Sequence, residues 1–202
     1  MSSKESKKFY RGCYRVAGPV LRFFRPIKVY GKENITKGAA LVCANHSAMI
    51  DPFLIALSYG IDDPIHVMTK IEVFKIPVIA TVLRKLGMIS VDRSTIDVAS
   101  IKTSLTYLKK GEKVVIFPEG TRISEYDSTA AKSGAVKLAE RAGVPIVPVY
   151  LPRKKPFLKK IPVIFGEPYY IEKTEGKRTA EDYAALSEEL MKKIQALESS
   201  QK

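Results

Sequence analysis

The chain has 202 residues, with 34 Lys or Arg against 21 Asp or Glu, so its formal charge at pH 7 is +13. A content of 46% hydrophobic and 27% charged residues is typical of a globular protein, and this length suffices for one sizeable core. Two cysteines and two histidines exclude a disulfide framework and a Cys/His metal cluster, so we expect no metal ion and a reducing compartment.

The positive charge is concentrated in two stretches. Residues 1–32 carry nine basic side chains against one acidic, and residues 153–160 carry five basic side chains and no acidic one. The rest of the chain holds equal numbers of both signs. Two cationic patches on a neutral body predict contact with a polyanion, which is either an anionic membrane surface or nucleic acid.

The first element in chain order is an apolar stripe at helical spacing. Its members are Phe9, Cys13, Val16, Val20 and Phe24. The spacing predicts an amphipathic segment, and Gly18-Pro19 predicts a break into a helical hairpin, because proline lacks an amide donor. The hairpin either packs on the domain or lies on a membrane surface, and different faces can do both. The residues expected to contact a membrane are Phe9, Arg11, Arg15, Val20 and Phe24.

From Ile27 onward, short apolar runs alternate with helical patterns. The predicted strands are Ile27 to Tyr30, Ala39 to Ala44, Ile65 to Met68, Met88 to Val91, Val114 to Phe117, Ile146 to Tyr150 and Val163 to Phe165. The predicted helices are Pro52 to Tyr59, Pro77 to Leu86, Val98 to Lys110, Ala131 to Ala142 and Ala180 to Leu197. This order predicts an α/β fold with a mainly parallel sheet flanked by helices, preceded by the N-terminal amphipathic helical hairpin. We assign residues 1–26 to the hairpin and 27–202 to the domain.

The two histidines occupy different contexts. His66 lies between apolar residues of a predicted strand, which is typical of a structural histidine. His46 follows a buried strand, and Asp51 comes five residues later, where the next helix begins. A carboxylate there can accept from one imidazole nitrogen and leave the other as a general base. The spacing alone is a weak signal, because it occurs often by chance.

Further charged residues follow other predicted strands. Phe117-Pro118-Glu119-Gly120-Thr121-Arg122 follows one, Arg93 ends a second and Lys70 ends a third. Ligand sites of α/β folds lie at the carboxyl ends of parallel strands. The amides near Gly120 and Thr121, together with the Arg122 guanidinium, can bind phosphate, so we expect one cleft that holds a phosphate beside a general base. Taken alone, the segment is more typical of a solvated turn.

Four motifs in order resemble those of the glycerophospholipid acyltransferases, and the 1-acyl-sn-glycerol-3-phosphate acyltransferase group is the most similar. They are Asn45-His46-Ser47-Ala48-Met49-Ile50-Asp51, Gly87-Met88-Ile89-Ser90-Val91-Asp92-Arg93, Phe117-Pro118-Glu119-Gly120-Thr121-Arg122 and Val144-Pro145-Ile146-Val147-Pro148-Val149. The resemblance covers residues 28–170, including the approach Lys70-Ile71-Glu72-Val73-Phe74-Lys75-Ile76-Pro77 to the second motif. One departure is that Ser47 directly follows the histidine, where the family usually has a larger polar residue.

The resemblance implies a mechanism and its residues. His46 takes the proton from the sn-2 hydroxyl of lysophosphatidate, Asp51 orients His46, and the hydroxyl oxygen attacks an acyl thioester. The implied lysophosphatidate site consists of Lys70, Arg93, Glu119, Gly120, Thr121 and Arg122. The Pro145 motif shapes either the acyl-donor side or the core.

The resemblance also implies partners and a location. The co-substrate is an acyl carrier protein or coenzyme A thioester, and no cofactor is required. The partners are this donor, lysophosphatidate and an anionic membrane surface, without nucleic acid. Because Pro77 and Arg84-Lys85 interrupt the most apolar stretch, we expect a peripheral protein on the cytoplasmic face of the membrane, without a spanning helix.

Several alternatives bear on this hypothesis. The sequence contains no Gly-x-Ser-x-Gly elbow, P-loop, His-Glu-x-x-His or Gly-x-Gly-x-x-Gly, so serine, nucleotide, zinc and dinucleotide chemistry lack their motifs. Cys43 is more typical of a buried strand thiol than of a nucleophile. The acceptor could be another lysolipid or glycerol 3-phosphate. A different class, a non-catalytic basic module that binds lipid or nucleic acid, also remains open.

Overall fold

A seven-stranded sheet forms the centre of the protein in the computed structural model, which describes residues 3–95, 97–123, 125–127, 131–172, 174 and 176–201. The strands are β1 (Ile27–Tyr30), β2 (Ala40–Ala44), β3 (Ile65–Lys70), β4 (Ile89–Val91), β5 (Lys113–Ile116), β6 (Ile146–Tyr150) and β7 (Ile161–Phe165). Their order in the sheet is β1-β7-β6-β2-β5-β3-β4, and all neighbours are parallel except the antiparallel pair of β6 and β7. The predicted α/β fold with a mainly parallel sheet is therefore confirmed.

The helices follow the predicted positions closely. They are α1 (Ser3–Phe24), α2 (Asp51–Tyr59), α3 (Pro77–Lys85), α4 (Val98–Lys109), α5 (Gly134–Ala142) and α6 (Ala180–Ala196). Helix α5 ends at Gly143, which takes the left-handed conformation with φ of 63°. Thr179 and Asp182 form the capping box that begins α6, each side chain accepting from the other residue's amide.

The core has two parts because the central strands are covered on both faces. All five residues of β2 are buried, which explains its continuous apolar sequence. Leu54 and Ile55 of α2 pack on one face of the sheet. On the other face, buried side chains of α4, α5 and α6 form the second cluster. Both clusters hold the central strands rigidly, so that the loops at their carboxyl ends have a fixed frame.

The predicted N-terminal hairpin is wrong. Residues Ser3–Phe24 form one helix of 22 residues, and Pro19 lies inside it. Proline removes one backbone hydrogen bond, but contacts with the body hold both halves of the helix. Tyr10 donates to the carbonyl of Gly60 at 3.0 Å, and Arg22, beyond the proline, donates to the carbonyl of Leu57 at 2.8 Å. Tertiary contacts therefore override the break that the local sequence predicts.

The two faces of α1 have different roles. Its inward face consists of Tyr10, Tyr14 and Gly18 rather than the predicted apolar stripe; Tyr10 and Gly18 are buried, and the hydroxyls of Tyr10 and Tyr14 donate to carbonyls of α2 and its C-terminal end. The outward face carries Val16 and Phe23, which are 75% and 69% exposed. The helix thus packs on the domain and presents an apolar face outward. Among the described residues, no helix combines the length and apolar character needed to cross a membrane.

Candidate functional site

Four parallel strands converge on the candidate site. In the sheet, β2, β5, β3 and β4 are neighbours in that order. His46 follows β2, Glu119 to Arg122 follow β5, Lys70 is the last residue of β3, and Arg93 follows β4. Since these strands run in the same direction, their carboxyl ends meet at one edge of the sheet. The fold therefore brings the predicted residues to one edge.

His46 and Asp51 form the predicted pair. The Nδ1 atom of His46 lies 2.9 Å from Oδ2 of Asp51. Because an ionised carboxylate only accepts hydrogen bonds, Nδ1 carries a proton, and in the neutral imidazole the free electron pair is then on Nε2. The imidazole side chain is 14% exposed and stacks on Phe117, with ring centroids 4.1 Å apart. The histidine is therefore oriented from two sides, and its tautomer suits a general base.

Asp51 is fully buried at the start of α2. Its Oδ2 also accepts from the amides of Ser47 and Ala48, at 2.8 and 2.9 Å. Burial by itself raises the pKa of Asp51, but the hydrogen bond to His46 and the nearby ammonium of Lys155 outweigh it, and the pKa is lower than usual. Asp51 is therefore ionised at neutral pH and can stabilise the imidazolium form of His46.

Glu119 contacts the backbone of His46. It is 2% exposed, its Oε2 accepts from the His46 amide at 2.8 Å, and its Oε1 lies 3.4 Å from Nη2 of Arg153. Burial raises the pKa of this carboxyl group, and the bonds to His46 and Arg153 only partly offset that effect. With protein groups at both oxygens, Glu119 is arranged to hold the His46 backbone rather than to meet an anionic ligand.

The predicted cations lie at or after the ends of β3, β4 and β5. Arg93 donates to the carbonyl of Gly120, which joins the second and third motifs. Lys70 is exposed and pairs with Glu72 at 3.2 Å, and Thr121 and Arg122 are exposed beside Gly120. These exposed side chains form a mostly cationic rim on the segments at the ends of β3, β4 and β5, at the same edge of the sheet as His46, and such a charge suits a phosphate.

Gly120 meets the prediction only in part. It has a φ of 67°, a left-handed conformation that favours glycine. Its amide donates to the carbonyl of Phe117 at 2.9 Å, so this amide is not available to an anion as the sequence analysis expected. A Cβ atom at Gly120 would lie 3.1 Å from Cε of Lys132. Lys132 is therefore a further cation at the rim, and it belongs to none of the motifs that the sequence analysis identified.

Sequence reasoning missed the contribution of the segment after β6. Asn45 is buried, donates to the carbonyl of Leu151 at 2.7 Å and accepts from its amide at 2.8 Å, which fastens this segment to β2. Arg153 reaches Glu119, and Nζ of Lys155 lies 2.8 Å from Oδ1 of Asp51. Two of the five cations assigned to a docking patch thus belong to the site. Both residues follow the carboxyl end of β6, which neighbours β2, so the strand-end rule applies to them once the strand order is known.

Residues at the opposite edge of the sheet do not join this site. His66 is buried in β3, where Nδ1 lies 2.9 Å from the carbonyl of Gly87 and Nε2 lies 3.0 Å from Glu112. It lines a separate cavity of about 290 Å³, as a structural histidine with satisfied nitrogens. Pro145 precedes β6 at this edge, where the neighbouring Val144 and Ile146 belong to the core. Cys43, which lies within β2 rather than at this edge, is fully buried, and burial raises the pKa of its thiol, so it lacks the exposure and the thiolate form that a nucleophile requires.

The residues predicted to contact a membrane lie in different surroundings. Val20 and Phe24 are 54% and 42% exposed, and Arg15 is exposed. Arg11 pairs with the exposed Asp62 at 2.8 Å, and Phe9 is half-buried, with the Lys85 ammonium 5.4 Å from its ring centroid. The outward apolar surface extends beyond α1. Its further exposed members are Ile76, Val78, Ile79 and Val82 on or next to α3, and Phe157 and Leu158 after β6.

Several known proteins are similar to this chain in sequence and fold. The family model described as Acyltransferase matches residues 26–152. The 1-acyl-sn-glycerol-3-phosphate acyltransferase of Bacillus subtilis is 36% identical over 196 residues, covering 94% of this chain and 96% of that protein. The probable 1-acyl-sn-glycerol-3-phosphate acyltransferase of Mycoplasma pneumoniae is 31% identical over 152 residues, covering 69% of this chain and 54% of its own. The crystal structure of the 1-acyl-sn-glycerophosphate acyltransferase PlsC from Thermotoga maritima matches 98% of this chain and 78% of that one, with a TM-score of 0.65 and 24% identity, and supports the fold.

Proposed function

Because the chain belongs to the acyltransferase family, we propose that it transfers an acyl group from a thioester to the sn-2 hydroxyl of lysophosphatidate, which gives phosphatidate. The observation that carries the proposal is the pair formed by His46 and Asp51, which lies beside the cationic rim of Lys70, Arg93, Arg122 and Lys132. Such a site combines a base for a hydroxyl group with binding for a phosphate monoester on the same acceptor molecule. The names of relatives from several organisms support this acceptor.

The proposed chemistry is a direct transfer. Nε2 of His46 takes the proton of the acceptor hydroxyl while its oxygen attacks the thioester carbon. The carbon–sulfur bond then breaks, and the departing thiolate receives the proton from Nε2. Asp51 keeps the imidazole in this tautomer and stabilises its charged form. A positioned base contributes roughly 10²–10⁴-fold, and a thioester is already activated, so no covalent enzyme intermediate is needed.

Acceptor binding is assigned to the rim. Arg122 and Arg93 offer guanidinium groups that can bind phosphate through paired hydrogen bonds, and Lys70 and Lys132 add charge. Glu119 is assigned a different role from the one that the sequence analysis gave it. It holds the His46 backbone, and it leaves the phosphate to the cations around Gly120.

The proposed location is the surface of an anionic membrane, where the acceptor lipid resides. The exposed apolar residues of α1 and α3 would enter the interfacial region, and basic side chains of α1 would meet acidic headgroups. The donor is an acyl carrier protein or coenzyme A thioester. Both are anionic, and the exposed Lys159 and Lys160 can meet either of them.

The test is an assay of the purified protein with labelled acyl donors of both types. Three acceptors are compared: lysophosphatidate, glycerol 3-phosphate and lysophosphatidylcholine. We expect phosphatidate from lysophosphatidate, and a loss of about 10²-fold or more in kcat for His46→Ala and Asp51→Asn. Circular dichroism confirms that the variants are folded. Transfer by His46→Ala at the wild-type rate would refute the mechanism, and product from another acceptor only would refute the substrate.

A further inference from the structure

Lys155 is a buried cation in contact with the catalytic pair. Its Nζ atom lies 2.8 Å from Oδ1 of Asp51 and 2.7 Å from Oγ of Ser47, and its side chain is 4% exposed. Lysine is almost never fully buried unless it is paired. Its neighbour Lys154 points into solvent. A cation that served only a surface patch would be exposed like Lys154. The burial of Lys155 therefore indicates a different role.

The contacts of Asp51 divide its two oxygens between two tasks. Oδ2 accepts from Nδ1 of His46 and from the amides of Ser47 and Ala48, and Oδ1 faces Lys155. A rotation of the carboxylate that moved Oδ2 away from the imidazole would also move Oδ1 away from the ammonium. The lysine therefore acts on the orientation of the aspartate as well as on its charge.

Ser47 provides the space for this ammonium. Its Oγ accepts a hydrogen bond from Nζ of Lys155 at 2.7 Å and donates one to the carbonyl of Arg153 at 3.3 Å. A longer side chain at position 47 would reach into the volume that the ammonium occupies. The buried position of Lys155 thus depends on the small serine that directly follows His46.

The backbone around Lys155 is held by the end of α1. Nη1 of Arg25 donates to the carbonyl of Lys155 at 2.5 Å, and the amide of Leu158 donates to the carbonyl of Phe24 at 3.1 Å. The ring of Phe157 stacks on that of Phe24, with centroids 5.4 Å apart. The backbone that carries the Lys155 side chain is therefore fixed by the end of α1, while the ammonium contacts Asp51.

We propose that Lys155 is a positioning residue of the catalytic pair, which keeps Asp51 ionised, directs its Oδ2 at His46 and limits the negative charge that the imidazole meets. The proposal rests on the proposed function, because the pair must act as a base for the role to matter. With Lys155 present, the group of three has no net charge before proton transfer and one positive charge after it. Without it, the imidazolium and the carboxylate would form an isolated ion pair that releases its proton less readily.

The experiment compares Lys155→Met, which has similar length and no charge, with Lys155→Arg and the control Lys154→Met. The control removes the same charge from the exposed neighbour. For Lys155→Met we expect kcat to fall by about 10-fold or more, while the KM for lysophosphatidate stays within about twofold. The acidic limb of the kcat/KM profile should move to higher pH, by roughly half a unit or more, because the imidazole holds its proton longer. Lys155→Arg should leave the acidic limb at its wild-type pH. Lys154→Met should change neither kcat nor the position of the acidic limb.

A second readout does not depend on turnover. The chain has two histidines, so the ring nitrogen signals of His46 can be followed by NMR against pH. The titration midpoint should rise in Lys155→Met and stay unchanged in Lys154→Met. Glu119 and Arg153, the other charged groups around the pair, are the same in all variants. A risen midpoint in a protein without acyltransferase activity would refute the proposed function and support the positioning role.

Two outcomes would overturn the inference. The first is a Lys155→Met protein with wild-type kcat and an unmoved acidic limb, since the ammonium would then serve only as a counter-ion. The second is a loss of kcat with an unmoved acidic limb and an unmoved NMR midpoint, since the lysine would then serve only the packing. If Lys155→Met does not fold, Ser47→Ala replaces it. That variant removes one partner of the ammonium, and it should shift the acidic limb in the same direction by a smaller amount.

Discussion

Asp51 shows how a buried charge is accommodated at the scale of single residues. It accepts hydrogen bonds from an imidazole N–H and two backbone amides and forms an ion pair with an ammonium, and these contacts outweigh the cost of its burial. Glu119 lies in a similar position with weaker support, and its pKa is raised. The two carboxylates therefore have different assigned roles: Asp51 orients the proposed base, and Glu119 holds the backbone of that base.

Arg122 permits a prediction at the same scale. In Arg122→Ala we expect the KM for lysophosphatidate to rise by about tenfold, with kcat within about threefold. The guanidinium is assigned to the phosphate, which has the same charge in the ground state and the transition state. Steady-state kinetics with varied lysophosphatidate measures both quantities.

The matched control for this change is Arg141→Ala. Arg141 is exposed near the end of α5, which leads to the opposite edge of the sheet. Its loss should leave both quantities unchanged. A fall in kcat of Arg122→Ala at constant KM would assign Arg122 to the chemical step instead.

Helix α1 illustrates a conflict between local and tertiary preferences. Gly18 and Pro19 predict a break, yet the helix continues, because Tyr10, Tyr14 and Arg22 bond to α2 and the turn after it on both sides of the proline. The same contacts turn the face with Val16 and Val20 outward. Removal of residues 1–25 would uncover the surface under Tyr10, so point substitutions on the outward face are the better test of docking.

A prediction at the scale of this element is that Val16→Asp/Val20→Asp weakens binding to anionic vesicles by tenfold or more. The aspartates remove apolar area from the interface and repel acidic headgroups, an effect of about 1 kcal/mol for each charge near the surface. Vesicle sedimentation measures the binding, and thermal unfolding should stay close to that of the wild type, because both residues are exposed.

Ala185→Asp serves as the control for that prediction. Ala185 is exposed on α6, a helix that covers the other face of the sheet from α2. The substitution adds an acidic residue to an amphipathic helix remote from α1. Equal binding by Val16→Asp/Val20→Asp and by the control would show that α1 does not dock.

The charge of the whole molecule has a different meaning once the fold is known. Arg153 and Lys155 lie inside the site, and Arg22 and Arg25 bond to backbone carbonyls of the body. The two cationic stretches of the sequence are therefore partly structural. The cations left on the surface, such as Arg15, Lys159 and Lys160, remain available for an acidic membrane or a carrier.

At this scale we predict a strong salt dependence of vesicle binding. Between about 0.05 and 0.5 M salt, affinity for anionic vesicles should fall by tenfold or more, because screening shortens the reach of surface charges to a few ångströms. Zwitterionic vesicles should bind weakly at every salt concentration. Salt-independent binding to anionic vesicles would show that apolar contact alone holds the protein.

The predictable part of this protein follows from local patterns. The seven strands were recognisable because residues covered on both faces are apolar at consecutive positions, as in β2. The capping box of α6 was recognisable because its two side chains satisfy each other's amides. His46 and Asp51 were predictable as a pair because only five positions separate them, at the junction of a strand and a helix.

The missed residues lie far from the pair in sequence. Lys155 follows a strand 104 positions after Asp51, and nothing in its own segment separates it from Lys154. Lys132 lies next to Gly120, and Leu151, which follows β6, bonds to Asn45 beside His46. Contacts of this kind depend on which strands are neighbours, and the local patterns do not specify that order.

The sequence by itself determined the succession of strands and helices along the chain, the pairing of His46 with Asp51 and the family resemblance, because each depends on side chains close together in the chain. Only the tertiary structure decided which cations are buried, which face of α1 points outward and that Pro19 stays within a helix. The physical reason is that burial and pairing are set by neighbours across the sheet. A lysine becomes part of a site only where the fold places a carboxylate beside it and excludes water around both.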